Sequence, residues 1–226
     1  MPIYSLSKEM IFPPSSMWEK SLPVAIGGDL SANRLLLAYS LGIFPWFSED
    51  EPIMWWSPDP RLILYPKDLH ISSSLKKTIK KKRFKITMDT NFQQVIKACA
   101  IRDDTWITKE MIDAYIKLHK IGFAHSVEAW HNESLAGGLY GISLGGCFFG
   151  ESMFTRVANA SKAALVFLVD FLQGLSFDFI DCQVTSDHLT RFGAKEIKRD
   201  LFLKLLARSI QRPTLKGRWT ANPTVL

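Results

Sequence analysis

No apolar run in the sequence approaches the roughly 20 residues that a membrane-spanning helix needs, so a membrane partner is not expected. The start, Met1-Pro2-Ile3-Tyr4-Ser5, lacks the basic residues and apolar stretch of an export signal. The expected compartment is therefore the cytoplasm. Cysteine is scarce. Cys99, Cys147 and Cys182 are odd in number, far apart and set in apolar sequence, which argues for reduced, buried thiols rather than a disulfide framework. Neither they nor the histidines show metal-ligand spacing, so no metal is expected. Internal repeats and low-complexity segments are absent too. So is acidic charge from one stretch: Lys76, Lys77, Lys80, Lys81, Lys82, Arg83 and Lys85 follow one another without an Asp or Glu between them. Leu75 and Ile79, four apart, give the start of that stretch one apolar helical stripe, leaving lysines on the other faces. Most charge runs are solvated helix faces. Like charges without interspersed carboxylates repel, however, and an anionic partner such as a nucleic acid relieves that repulsion.

What is present is a globular composition: 226 residues, 47% hydrophobic and 22% charged, with a net charge of +6. That length suits one large domain, or one domain with a small appendage. Residues before Asp59 are rich in Pro, Gly and Trp, and their spacing predicts a single helix from Ala32 to Tyr39, with Ser31 as N-cap and Gly42 and Pro45 beyond its end. The turn-rich Trp55-Trp56-Ser57-Pro58-Asp59-Pro60 is the expected boundary, giving a small N-terminal domain at 1–58 and a larger one at 59–226. In the larger part the pattern predicts a strand at Leu62 to Tyr65, the basic helix, and a strand at Phe84 to Met88. Helices at Phe92 to Ala100 and Lys109 to Lys120 follow, then three strands within Ser126 to Thr155. A helix from Ser161 to Leu172 capped by Gly174, a strand within Phe177 to Val184 and a helix from Leu201 to Arg208 complete an α+β fold. The pairs Gly137-Gly138 and Gly145-Gly146 suit a tight turn, a bulge or a close backbone approach.

Two of these strands carry polar residues inside apolar runs. In extended chain, Phe149, Glu151 and Met153 share one face, and Phe177, Phe179, Asp181 and Gln183 share another. Burying such groups without partners costs several kcal/mol. Glu151, Asp181 and Gln183 therefore either satisfy one another in the core or line a pocket that handles a polar substrate.

The sequence resembles the leucyl/phenylalanyl-tRNA-protein transferases in motifs that run in family order from about Phe12 to Phe202. They are Gly27-Gly28-Asp29-Leu30, Gly42-Ile43-Phe44-Pro45-Trp46-Phe47, Trp55-Trp56-Ser57-Pro58-Asp59-Pro60-Arg61, Thr105-Trp106-Ile107, Ala124-His125-Ser126-Val127-Glu128, Gly137-Gly138-Leu139-Tyr140-Gly141, Gly150-Glu151-Ser152-Met153-Phe154, Ala160-Ser161-Lys162 and Ile180-Asp181-Cys182-Gln183. The resemblance implies a bacterial cytosolic enzyme that moves Leu or Phe, and less well Met, from leucyl-tRNA or phenylalanyl-tRNA onto the N-terminal α-amine of acceptor proteins beginning with Lys or Arg. The product is then degraded by the N-end rule pathway. It also implies a small N-terminal domain packed on a larger GNAT-like acyltransferase domain.

An aminoacyl ester is already activated, so the chemistry calls for orientation of two substrates and stabilisation of an oxyanion, with no cofactor. The resemblance assigns the catalytic positions to Asp181 and Gln183, with Gln183 contacting the amine and Asp181 positioning or polarising it. An amide is a poor base, which favours an orienting role for Gln183. Glu151 matches the carboxylate that attracts the cationic N-terminus. Leu139, Phe148, Leu165, Leu168 and Ile180 match the donor side-chain pocket, though without the family each reads as core. Trp46 and Trp106 match aromatics around the terminal adenosine, where stacking is worth about 1 to 3 kcal/mol per base. Lys77, Lys80 and Lys81 match basic positions that touch tRNA. Departures are Ser73 where members commonly carry Arg, and Leu139 and Leu168 where several carry Met and Phe. Two other readings remain at this stage. An acetyl-CoA-dependent N-acetyltransferase would need glycines that Arg156-Val157-Ala158-Asn159-Ala160 lacks. An RNA-binding module would use the basic tract and tryptophans but leave Glu151, Asp181 and Gln183 without a task.

Overall fold

Cap residues and apolar spacing set most of the elements. Ser31, Ser72, Asn91 and Thr108 each accept a hydrogen bond from a first-turn backbone N–H of the helix they precede. The computed structural model describes residues 3–101, 105–220 and 224–225. In chain order it contains β1 (Tyr4–Leu6), β2 (Ala25–Gly27), α1 (Ala32–Ser40), β3 (Phe44–Pro45) and β4 (Met54–Trp56). Next come β5 (Arg61–Leu64), α2 (Ser73–Lys80), β6 (Lys85–Met88), α3 (Phe92–Ala100), α4 (Lys109–Lys120), β7 (Ala124–His131), β8 (Ser134–Leu144) and β9 (Cys147–Thr155). The chain continues through α5 (Ala160–Gly174), β10 (Phe179–Gln183), α6 (Asp187–Thr190), β11 (Lys195–Ile197), α7 (Arg199–Ser209) and β12 (Thr224–Val225).

The strands form two sheets, β1-β2-β4-β3 and β11-β5-β10-β9-β8-β7-β6-β12. The smaller lies within residues 4–56 and the larger begins at Arg61. The fold is mixed α and β. Tight turns make β7, β8 and β9 an antiparallel meander, the first through Asn132 and Glu133, both at positive φ. Strand β10 departs from that pattern: it returns through α5 to run parallel to β9, inserted between β9 and β5.

One face of the large sheet packs on α3 and α4 around Val95, Ile96, Tyr115, Tyr140 and Phe149, in a core that continues through Tyr39, Phe44 and Trp55 into the smaller sheet. The other face is covered by α5, through Ala163, Ala164, Leu165 and Leu168, with Leu75 of α2 at its margin. The close approach of α5 requires Gly137, where a Cβ would sit 2.7 Å from that of Ala160. Among the described residues no helix is long and apolar enough to cross a membrane.

Several expectations are corrected here. The short strands β1 to β4 accompany the single helix foreseen before Asp59. The basic helix is short: α2 stops at Lys80, Lys81 caps it and Lys82 turns left-handed at φ 50°, while Lys85 opens β6 within the strand expected at Phe84 to Met88. Gly174 is the last residue of α5 rather than its cap. Ser176 takes the left-handed position at φ 56°, with Phe177 N–H bonded to Leu172 O and Ser176 N–H to Gln173 O, the paired bonds of a Schellman ending. Phe177 therefore lies outside β10 and packs with Trp219 in the α5-side core, on the face opposite Phe179.

Candidate active site

The site arises where two parallel strands stop pairing. Strands β9 and β10 are bonded only from Cys147 opposite Phe179 to Phe149 opposite Asp181. Beyond that point each strand carries a bulge. On β9 the partners run Gly141 to Gly150 and Tyr140 to Ser152, which leaves Glu151 as the extra residue. On β10 they run Asp181 to Ile63 and Gln183 to Leu62, which leaves Cys182 extra. A bulge adds a residue, bends the strand and re-aims its side chains. Gly141 permits the first one, since a Cβ there would lie 2.2 Å from Phe149 O.

The bulge also corrects the alternation expected for β9. Phe149 and Phe154, five apart, both pack in the α3/α4-side core, while Phe148 and Met153 both belong to the α5 side. Phe149 and Met153 thus lie on opposite faces.

Glu151 and Gln183 bridge the gap left by the missing backbone bonds, with Gln183 Nε2 donating to Glu151 Oε1 at 2.8 Å. Behind the carboxylate, Tyr115 Oη donates to Glu151 Oε2 at 2.9 Å and shares a 2.5 Å hydrogen bond with Tyr39 Oη. On the other side Asp181 holds Gln183 from below: its Oδ1 accepts the Gln183 backbone N–H at 2.9 Å. Gln183 sits at φ 65°, a left-handed conformation that costs a non-glycine residue about 1 to 3 kcal/mol and persists only where its surroundings enforce it. Asp181 supplies that enforcement and is itself fixed by Arg61, whose Nε and Nη2 reach its two oxygens at 2.8 and 2.6 Å. Both ions are fully buried. The guanidinium in turn lies against the rings of Phe202 and Phe44, 4.4 and 4.8 Å from their centroids. A bidentate pair packed this way has one geometry.

Glu151 and Gln183 border a cavity of about 310 Å³. Its apolar wall includes Leu139, Phe148, Leu165, Leu168 and Ile180, with Leu64, Met153 and Cys182, and Trp46, Trp106, Glu151 and Gln183 also line it. Trp46, 42% exposed, and Trp106 stand at its rim, one from the loop after β3 and one from the loop before α4. Asp181 is not part of the wall. It has no exposed surface and meets the cavity through the backbone of Gln183, which it holds, and through its charge. Lys77, Lys80 and Lys81 are also elsewhere, exposed on α2 and at its end. Arg61, Tyr39 and Tyr115 were missed by sequence reasoning. Arg61 left a signal, being a cation at the head of the buried run Arg61-Leu62-Ile63-Leu64, where it demands a carboxylate.

Burial pushes the Glu151 carboxyl up to about 7, opposed by the hydrogen bonds it accepts and reinforced by the charge of Asp181. Close to neutrality it exists in both protonation states. Burial likewise holds the phenols of Tyr39 and Tyr115 well above their usual range, so both remain hydrogen-bond donors. Cys182 lines the cavity, yet burial, aided by the Asp181 charge, raises its thiol far above neutrality and leaves no thiolate nucleophile.

Two family models match the chain: leucyl/phenylalanyl-tRNA protein transferase over residues 63–207, and the N-terminal domain of the same family over residues 28–59. Curated relatives described as leucyl/phenylalanyl-tRNA-protein transferase include one from Desulfatibacillum aliphaticivorans, 56% identical over 97% of each chain. Another, from Anaeromyxobacter sp. (strain Fw109-5), is 55% identical over 97% of this chain and 95% of its own. A third, from Myxococcus xanthus (strain DK1622), is 52% identical over 97% of each. Among solved structures, that of L-PGS from Bacillus licheniformis aligns with a TM-score of 0.41 at 10% identity over 70% of this chain and 52% of its own, a likeness too slight to define the fold. With matches that span both sheets and nearly the whole sequence, the chain belongs to the leucyl/phenylalanyl-tRNA protein transferase family.

Proposed function

We propose that this aminoacyltransferase moves Leu or Phe from aminoacyl-tRNA to the N-terminal α-amine of acceptor proteins that begin with Lys or Arg, marking them for N-end rule degradation in the cytoplasm. The observation that carries the reading is the Glu151–Gln183 pair set at the edge of an apolar cavity where β9 and β10 part. The cavity takes the donor's apolar side chain. Trp46 and Trp106 at its rim are placed to stack on the terminal adenosine, and Glu151 attracts the acceptor's cation. Residues 1–58 then act as a small domain that lends Trp46 to a GNAT-like domain at 59–226, a reading supported by the parting of parallel strands around the site.

In the reaction the amine nitrogen attacks the ester carbonyl carbon. The new C–N bond forms as the bond to the terminal ribose oxygen breaks, and the proton lost by the amine ends on that oxygen. The α-amine, with a pKa near 8, is partly neutral at pH 7, so orientation is the main requirement. Gln183 touches the amine through its side chain. Asp181 and Arg61 are positioning residues, which hold Gln183 in its left-handed conformation.

Radiolabelled leucyl-tRNA mixed with a protein bearing N-terminal Arg should transfer label to the protein, and labelled acetyl-CoA should not. Label arriving from acetyl-CoA instead would overturn the reading. Leu139→Trp should crowd the donor pocket and lower phenylalanyl transfer several-fold more than leucyl transfer, with the acceptor preference unchanged. A shift in acceptor preference alone would mean that the two substrate halves are interchanged. Replacing Lys77, Lys80 and Lys81 by Ala should weaken tRNA binding roughly tenfold or more and flatten its salt dependence, while sparing transfer from leucyl-adenosine. Equal losses with both donors would assign these lysines to the fold.

A further inference from the structure

The two oxygens of the Glu151 carboxylate face different surroundings. Oε1 accepts from Gln183 Nε2 at 2.8 Å, and both of those residues line the cavity. Oε2 accepts from Tyr115 Oη at 2.9 Å. A phenol has a single proton, so once Tyr115 has given its proton to Glu151, the 2.5 Å bond between the two phenols must be donated by Tyr39. The hydroxyls thus form a directed chain, from Tyr39 of α1 through Tyr115 of α4, that ends on Oε2.

Packing holds both phenols to that task. Tyr39 and Tyr115 have no exposed surface, and neither lines the cavity. The Tyr39 ring meets Phe149 of β9 edge-on at 5.1 Å, and the Tyr115 ring meets Tyr140 of β8 edge-on at 5.7 Å, which fixes where each hydroxyl points. Burial keeps both of them protonated. A substrate that enters through the cavity therefore meets Gln183 and the Oε1 side of the carboxylate, while Oε2 is engaged from the buried side. A guanidinium binds a carboxylate best as a fork, with two parallel N–H groups on two oxygens, whereas an ammonium is a point charge that needs one. With Oε2 engaged, the fork has no second partner.

We propose that Tyr115, oriented by Tyr39, is a positioning residue that withholds Oε2 of Glu151 from the acceptor, so that the carboxylate holds the cation of an N-terminal Arg or Lys through Oε1 and serves both alike. This rests on the reading of Glu151 as the site of the acceptor's cation.

Transfer from leucyl-tRNA to acceptors with N-terminal Arg, Lys and Ala tests it. The Tyr39→Phe/Tyr115→Phe variant keeps both rings and frees Oε2; both hydroxyls are removed because Tyr39, released from Tyr115, has a proton to offer in its place. Its kcat/KM for Arg relative to Lys should rise about tenfold over the parent's, the worth of one further charge-assisted hydrogen bond, and the change should lie in KM. Tyr39→Phe alone leaves the bond from Tyr115 to Oε2 and should keep the parent's ratio. A second readout is one that altered packing would not move. Burial raises the Glu151 carboxyl to about 7, and hydrogen bonds from Tyr39 and Tyr115 oppose the rise, so in the double variant the midpoint of the preference for Arg over Ala should move to higher pH. The other groups about the carboxylate stay in place: Asp181 with its partner Arg61, Gln183, and Tyr140 behind Tyr115. Transfer to the Ala acceptor reports that each variant is folded. A double variant with the parent's Arg to Lys ratio, or with a midpoint that does not rise, overturns the proposal, and so does a ratio that rises in Tyr39→Phe alone. A parent that favours neither Arg nor Lys over Ala would bring down the reading of Glu151 itself, whereas the proposal fails by itself only where the parent shows that preference.

Discussion

Replacing Arg61 by Met should lower stability by about 3 to 5 kcal/mol, because the Asp181 carboxylate is then left fully buried with no cation beside it. For a chain of 226 residues that corresponds to a melting temperature lower by roughly 6 to 20 °C. Pairing the change with Asp181→Leu should recover most of the loss, since an apolar pair of similar volume replaces a buried ion pair at little cost. Activity should not recover with it. Gln183 would lack the carboxylate that accepts its backbone N–H and holds it at φ 65°, and a misplacement near 1 Å at a reacting group costs about 100-fold in turnover. Thermal melts and single-turnover transfer from leucyl-tRNA check the two halves separately. An Arg61→Met variant that melts within about 2 °C of the parent would show that the pair does not hold this region. A double variant that regains both stability and turnover would remove Asp181 from the chain of support.

The second large effect belongs to Glu151, and its sign follows from the direction of the shift. Folding raises this carboxyl from an ordinary 4.5 to about 7. Its contribution to stability is therefore complete below pH 4.5 and is lost as pH rises through 7, by about 3 kcal/mol at pH 8. Glu151→Gln cannot ionise, so it should be the more stable protein at pH 8 and nearly equal to the parent at pH 4. Its amide can keep both neighbours, with the oxygen facing Gln183 and the nitrogen facing Tyr115.

Function should move the other way. A cationic N-terminus binds the ionised carboxylate, so the parent's preference for N-terminal Arg over N-terminal Ala should grow about tenfold per pH unit below 7 and level off above it. Comparing two acceptors cancels the titration of the α-amine that both share. In Glu151→Gln the preference should shrink and become independent of pH. A pH-dependent preference that survives in the variant would place the acceptor's cation elsewhere.

The motifs, the helices α3 and α4, the cap at Ser31, and the need of Glu151 and Gln183 for polar partners were all legible in the sequence. Each depends on local spacing, or on the cost of a polar group in an apolar run, and neither needs the tertiary arrangement. The apolar pocket was legible only through family resemblance, because a leucine facing a cavity and a leucine facing a neighbour have the same spacing. What the sequence could not place was the bulge at Glu151, which moves Met153 to the face opposite Phe149. A strand's alternation is broken by one extra residue, and that residue is defined only by the partner strand across from it.

Partnership across the fold made the remaining assignments. Sequence leaves Asp181 either a core partner or a lining of the pocket, and Arg61, 120 residues earlier, decides it by taking both of its oxygens and holding it behind Gln183. Tyr39 and Tyr115 meet from helices on either side of the junction between the two sheets, and nothing near them in sequence points to Glu151. Local propensity and burial cost are properties of a segment and can be read from it. Which buried groups satisfy one another is decided by long-range packing, because a hydrogen bond or ion pair exists only once two distant segments have been brought within about 3 Å.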